Sequence, residues 1–124
     1  MTKNFYITTP IYYPSAKPHM GHAYSSIVSD VIARFKRLDG YNVEFLTGTD
    51  EHGLKIQRAA EEKGLDPKNF CDELSKTFRS LSKTLNLSNT DFIRTTEDRH
   101  IKSVQNLWEI LEKKNQIYLS KYSS

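Results

Sequence analysis

"FYITTPIYYPSAKPHMGHAYSSIVSDVIARFKRLDGYNVEFLT", Phe5 to Thr47, is the stretch on which the fold turns. It opens on FYITT, Phe5 to Thr9, a short β-branched and aromatic run halted by Pro10 and read as a buried strand. The loop PIYYPSAKPH follows. From Met20 the apolar residues Met20, Ala23, Tyr24, Ile27, Val28, Val31, Ile32, Phe35 and Leu38 recur at steps of three and four, which puts them on one face of a helix. Lys36 and Arg37 complement the C-terminal end of its dipole, and Gly40 is the expected left-handed stop. NVEFLT, Asn42 to Thr47, then reads as a second strand closed by the turn-rich GTDEHG.

Beyond that loop, Leu54 to Lys63 is a short helical segment. Asp66 and Pro67 are the N-cap and first turn of a longer helix that runs to about Asn86, with Phe70, Leu74, Phe78, Leu81 and Leu85 facing the core. DFIRTT, Asp91 to Thr96, is a third strand. Thr95, Thr96 or Asp98 would cap a last helix carrying Ile101, Val104, Trp108 and Leu111, and QIYLSKYSS begins a fourth extended segment. This alternation is the pattern of an α/β parallel sheet joined by right-handed crossovers. Three strands in βαβαβ order make the first half of a Rossmann-type doubly wound sheet, and the absence of repeats or a low-complexity linker marks no second domain within residues 1–124.

Composition narrows the function classes. The 124 residues are 37% hydrophobic and 27% charged, those of an ordinary globular protein, and a net charge of +3 with interspersed signs is too mild to argue for nucleic-acid binding. A single cysteine, Cys71, excludes an internal disulfide or a multi-cysteine zinc site within these residues, and no metal ligand set is expected. No apolar stretch approaches the roughly 20 residues that span a bilayer, and the N-terminus lacks the apolar run of a secretory signal, so no membrane association and a cytoplasmic location are the expectation.

In a doubly wound sheet the first strand-to-helix turn is the favoured phosphate position. Here that turn ends in KPHMGH, Lys17 to His22, where the free N–H groups and positive dipole of a starting helix suit a polyphosphate. His19 and His22, at i and i+3, can donate to one phosphate group, and Gly21 leaves the backbone open to close approach. The competing reading of the two histidines is a surface cap or packed pair, and of Tyr12 and Tyr13, loop aromatics covering the sheet. Lys17 reads foremost as a solvated loop lysine. Asp50, at the end of the second strand, faces the same crevice, and it also reads as the N-cap of a helix from Glu51 to Lys63.

The residues Thr9 to Gly53 closely resemble the N-terminal part of the methionyl-tRNA synthetases, class I aminoacyl-tRNA synthetases. HMGH stands where that class carries its HIGH signature, FLTGTDEHG is a more specific block, and the likeness continues through DFIRTTEDRH. The resemblance implies the HUP-like catalytic domain of that class. It also implies ATP-dependent formation of methionyl-adenylate, with Mg2+ accompanying ATP, followed by transfer of methionine to its tRNA. By position, His19 and His22 are the implied catalytic pair on the ATP phosphates, Gly21 lies against the nucleotide, and Ile11, Tyr13 and Asp50 hold methionine. His52 is assigned either to the site or to holding its loop.

The connective insertion, the KMSKS half and the anticodon-binding domain would all lie beyond Ser124, as would the insertion that decides zinc, which stays open. The expectation is therefore a chain inactive by itself, with an unpaired edge on its first strand and a possible partner in a complementing C-terminal half. Two other readings compete. One is a different adenylate-forming nucleotidyltransferase, which leaves FLTGTDEHG unexplained; the other is a non-catalytic nucleotide- or RNA-binding remnant of the same fold.

Overall fold

The computed structural model describes residues 3–121. The elements are β1 (Asn4–Thr8), α1 (Met20–Leu38), β2 (Asn42–Thr49), α2 (Leu54–Glu61), α3 (Pro67–Thr84), β3 (Asp91–Arg94) and α4 (Asp98–Lys113). The three strands form one parallel sheet in the order β1-β2-β3, with Asn4 level with Asn42 and Leu46 level with Asp91. The expected α/β order is thus the observed one, and β1 is an edge strand. The fourth extended segment does not form within residues 116–121, which are irregular, and its last residues lie outside those described.

Strand alternation explains where the core sits. Val43 and Phe45 of β2 point to one face, where they pack with Ala33 of α1 and with Phe5 and Ile7 of β1. Phe92 of β3 joins Tyr12 and Phe78 of α3 on the same face, and a separate cluster of Ile56, Ala60, Phe70, Cys71 and Leu74 binds α2 to α3. The opposite face carries Tyr6, 64% exposed, with exposed Glu44 and half-buried Leu46 and Ile93. It is largely open among the described residues. β1 is accordingly not the buried strand its composition suggests; its residues alternate between exposed and half-buried.

The helix periodicity is confirmed, but the orientation is not the expected one. On α1 the buried residues are Ser26, Ser29, Asp30 and Ala33, while Phe35 is 61% and Leu38 89% exposed, and Val31, Tyr24 and Met20 are exposed with them. Small and polar residues let the helix lie close to the sheet, and hydrogen bonds hold it there. Asp30 accepts from the backbone N–H and hydroxyl of Ser88 at 2.6 Å each and from Arg34 Nε at 2.6 Å. Arg37 in turn donates to the Ser88 carbonyl at 2.9 Å. Burial raises the Asp30 pKa, but these donors outweigh it and hold the carboxyl below its ordinary range. On α4 the stripe of Ile101, Val104, Leu107 and Trp108 is exposed, and the helix buries none of its residues.

Two caps also differ from expectation. α2 begins after Gly53, whose φ of +107° needs a glycine, so Asp50 is not its N-cap. α4 begins after Glu97 without a side-chain cap, because the hydroxyls of Thr95 and Thr96 bond elsewhere. Asp66 does cap α3, accepting from Lys68 N and Asn69 N with Pro67 in the first turn.

Candidate active site

The two histidines form a reciprocal cap at the start of α1. His19 is the N-cap; its Nδ1 accepts from Gly21 N at 3.1 Å, and His22 Nδ1 accepts from His19 N at 3.1 Å. Cap and phosphate donor are therefore not alternatives. Two backbone donors expected to face the ligand are occupied by the motif's own imidazoles, and in each neutral ring the proton then sits on Nε2. The rings stack with centroids 3.8 Å apart, so the arrangement moves donor capacity from the backbone to two adjacent Nε2–H groups. Gly21 makes the stack possible: a Cβ there would lie 3.0 Å from His19 Cε1 and 3.2 Å from Nδ1. His22 has a lowered pKa, first because it is partly buried and second because His19 lies beside it, which keeps it neutral at physiological pH.

Tyr12 joins this cap to the second strand. It is buried, stacks on Phe78 at 5.4 Å and meets the His22 ring edge-on at 4.9 Å. Ser26 Oγ donates to the His22 carbonyl at 2.8 Å, so its hydroxyl oxygen is left to accept from the Tyr12 phenol. Tyr12 N donates to Gly48 O at 2.9 Å and Asp50 N donates to Tyr12 O at 2.8 Å, laying the loop as a short parallel bridge beside the end of β2. The cover reading of Tyr12 is correct only in part, since it also props His22.

With Tyr12 turned inward, extended alternation turns its neighbours Ile11 and Tyr13 outward, and both are exposed. The Asp50 carboxylate lies beside the Tyr13 phenol, and its hydrogen bond and charge raise the phenol pKa. Ile11 and Tyr13 thus sit on the loop that ends in the histidine cap, and Asp50 meets Tyr13 from the loop after β2, at the carboxyl end of the sheet. His52 does not join them; its Nε2 lies 3.3 Å from Thr95 O, which ties the loop to β3. Lys17 is exposed, in keeping with a solvated lysine.

Two residues have no counterpart among those singled out in the sequence. Glu51 is buried and its carboxylate accepts from Thr49 Oγ1 at 2.7 Å, Thr96 Oγ1 at 2.6 Å, and Arg94 Nε and Nη2 at 2.7 and 2.9 Å. Burial raises the Glu51 pKa, but the bonds from Arg94, Thr49 and Thr96 hold it below the usual carboxylate range. Arg94 Nη2 also reaches Asp72 Oδ1 of α3 at 2.6 Å. Gly48 sits where a Cβ would fall 2.0 Å from Ile93 O. Both residues stand inside FLTGTDEHG, so the block was the visible signal, but neither the close approach of Ile93 to Gly48 nor the partners of Glu51 could be read from it.

Among the described residues no group of three histidine, cysteine or acidic side chains gathers as a metal site, and no helix is long and apolar enough to cross a membrane. The family model described as tRNA synthetases class I (M) matches residues 5–124. The methionine–tRNA ligase of Halalkalibacterium halodurans is 58% identical over 120 residues, 97% of this chain and 18% of that protein. A mitochondrial methionine–tRNA ligase of Takifugu rubripes is 53% identical over 120 residues, covering 97% and 20%. The structure of Mycobacterium tuberculosis methionyl-tRNA synthetase in complex with methionyl-adenylate superposes with a TM-score of 0.94 at 48% identity, over 98% of this chain and 24% of that one. The chain spans about a fifth of the length of the curated relatives it matches. Motif, fold and relatives agree, and the chain belongs to the class I tRNA synthetases of the methionine type.

Proposed function

We propose that this chain supplies one wall of a site that joins methionine to ATP, as part of a methionine–tRNA ligase. In that reaction a methionine carboxylate oxygen bonds to the α-phosphorus, the bond to the β-phosphate oxygen breaks, and pyrophosphate leaves; methionine then passes to the terminal adenosine of its tRNA. ATP enters with Mg2+ as substrate. The protein's part is positioning and charge stabilisation. His19 and His22 direct their Nε2–H groups at the phosphates, and Gly21 keeps the first turn open to the nucleotide. Ile11 and Tyr13 flank the methionine side chain, and Asp50 pairs with its ammonium group.

The observation that carries the reading is the junction at Tyr12. One buried phenol ties a stacked histidine pair to a loop whose neighbouring residues present Ile11, Tyr13 and an Asp50 without an ion-pair partner among the described residues. A methionyl-adenylate complex of a 48%-identical relative supports the same substrate. The cytoplasm is the proposed location.

Alone, the chain is proposed to be inactive, because α1 and the sheet leave their outer faces open and the crevice has one wall. The proposed partner is a C-terminal half that covers them. The test is methionine-dependent pyrophosphate exchange by the chain, with and without the remaining portion of a close relative in trans. Exchange appears only with the added half and falls about a hundred-fold in His19→Asn, which keeps the cap acceptor and removes the ring donor. Exchange by the chain alone overturns the proposal of inactivity. ATP binding by the complemented protein with no response to methionine favours the non-catalytic remnant instead.

A further inference from the structure

The loop that carries Asp50 holds a second carboxylate, Glu51, and the two have opposite environments. Asp50 is half-buried and has no cation within ion-pair distance among the described residues. Glu51 is fully buried at its side chain and takes both prongs of the Arg94 guanidinium, with the hydroxyls of Thr49 and Thr96 on the same two oxygens. Its backbone is held too: Glu51 N donates to Thr95 Oγ1 at 2.8 Å, and Glu51 O faces Cys71 Sγ at 3.9 Å. Arg94 is further fixed by Asp72. One side chain therefore pins the loop after β2 to the end of β3 and to α3, and it does so one residue from the carboxylate assigned to the ammonium.

From this we infer that Glu51 and Arg94 form a positioning clasp: by pinning the loop after β2 from within, they fix where the Asp50 carboxylate stands, turned outward toward a ligand cation. The inference deepens the proposed function and rests on it for the identity of that cation. A two-pronged guanidinium–carboxylate pair sets orientation as well as distance, which a single ammonium cannot do. Because successive residues of an extended segment face opposite ways, anchoring Glu51 inward points Asp50 outward. The clasp touches no reacting atom; it acts through Asp50.

The test uses the Tyr13 phenol as a reporter that needs no ligand. Tyrosines are labelled with carbon-13 at the phenol carbon, Tyr13 is assigned from Tyr13→Phe, and its titration is followed by NMR through alkaline pH. In the unaltered chain Tyr13 titrates above the ordinary 10.0 because Asp50 is beside it, and Asp50→Asn removes that rise. Glu51→Gln and Arg94→Lys bring Tyr13 back toward 10.0 with Asp50 still present. Thr96→Val, which removes one hydroxyl donor and perturbs the fold less, gives a smaller change in the same direction. A second arm measures, in the complemented protein, affinity for methionine and for its analogue lacking the amino group. Glu51→Gln weakens methionine about ten-fold and leaves the analogue unchanged.

An unaltered Tyr13 titration in folded Thr96→Val and Arg94→Lys overturns the clasp. Equal weakening of methionine and the analogue overturns it as well, since a general loss of structure would not single out the ammonium. If Tyr13 responds but the complemented protein does not bind methionine, the clasp stands and the methionine reading fails.

Discussion

At the scale of single residues, the histidine pair shows how one side chain can cap a helix and still serve the proposed ligand role, by dividing its nitrogens. Nδ1 of each ring closes the start of α1, and Nε2 is left for a ligand. Protonation of His22 would remove the Nδ1 lone pair that accepts from His19 N. Its folded-state pKa lies below the ordinary 6.5, chiefly through burial, so the unfolded chain binds this proton more readily. The stability it provides is therefore complete above pH 6.5 and is lost as pH falls from 6.5 through the lowered value. Urea unfolding at about pH 7.5 and about pH 5.5 checks this. His22→Gln keeps an acceptor at the third helical position and cannot titrate, so its urea midpoint drops less between the two pH values than that of the unaltered chain. An equal drop in both would place the acid sensitivity elsewhere.

At the scale of elements, the periods were legible and the partners were not. The steps of three and four in Met20 to Leu38 identify a helix, but a period states which residues share a face and is silent on what lies opposite. Phe35 and Val31 share a face with solvent, and Ser26, Ser29 and Asp30 share one with the sheet. The proposed site residues His19, His22 and Asp50 could be singled out because a motif and a βα turn are local. Glu51 stands inside the FLTGTDEHG block, but its partners Arg94 and Thr96 lie 43 and 45 positions away, so its buried ion pair was not legible locally. Gly48 belongs to the same class of tertiary requirement. Its added Cβ would meet a backbone oxygen, not a flexible side chain, so the β2–β3 pairing has to open. Gly48→Ala is expected to destabilise the chain by about 3 kcal/mol or more, with the register around Ile93 weakened; the urea midpoint and the amide exchange of β3 check it.

For the molecule as a whole, the open face of the sheet, the free edge of β1 and the exposed stripe of α1 mark an unfinished apolar surface. Val31→Glu with Phe35→Glu is expected to leave the chain's own unfolding midpoint nearly unchanged, because both side chains already face water, yet to abolish exchange activity in trans. Loss of stability without loss of complementation would mean that this stripe belongs to the chain's own core. The parallel register has a kinetic side. β1 meets β2 across 38 residues and β2 meets β3 across 45, so no strand pair closes through a hairpin. Closing loops of that length costs about 2 kcal/mol more in chain entropy than closing a four-residue turn, and that cost precedes any contact that repays it. As the chain is synthesised from its N-terminus, β1 has to wait for Asn42 to Thr49 before it has a strand to pair with, and its backbone edges are open throughout the interval. The stretch that carries the signature is thus also the stretch that most needs protection from self-association while it is being made.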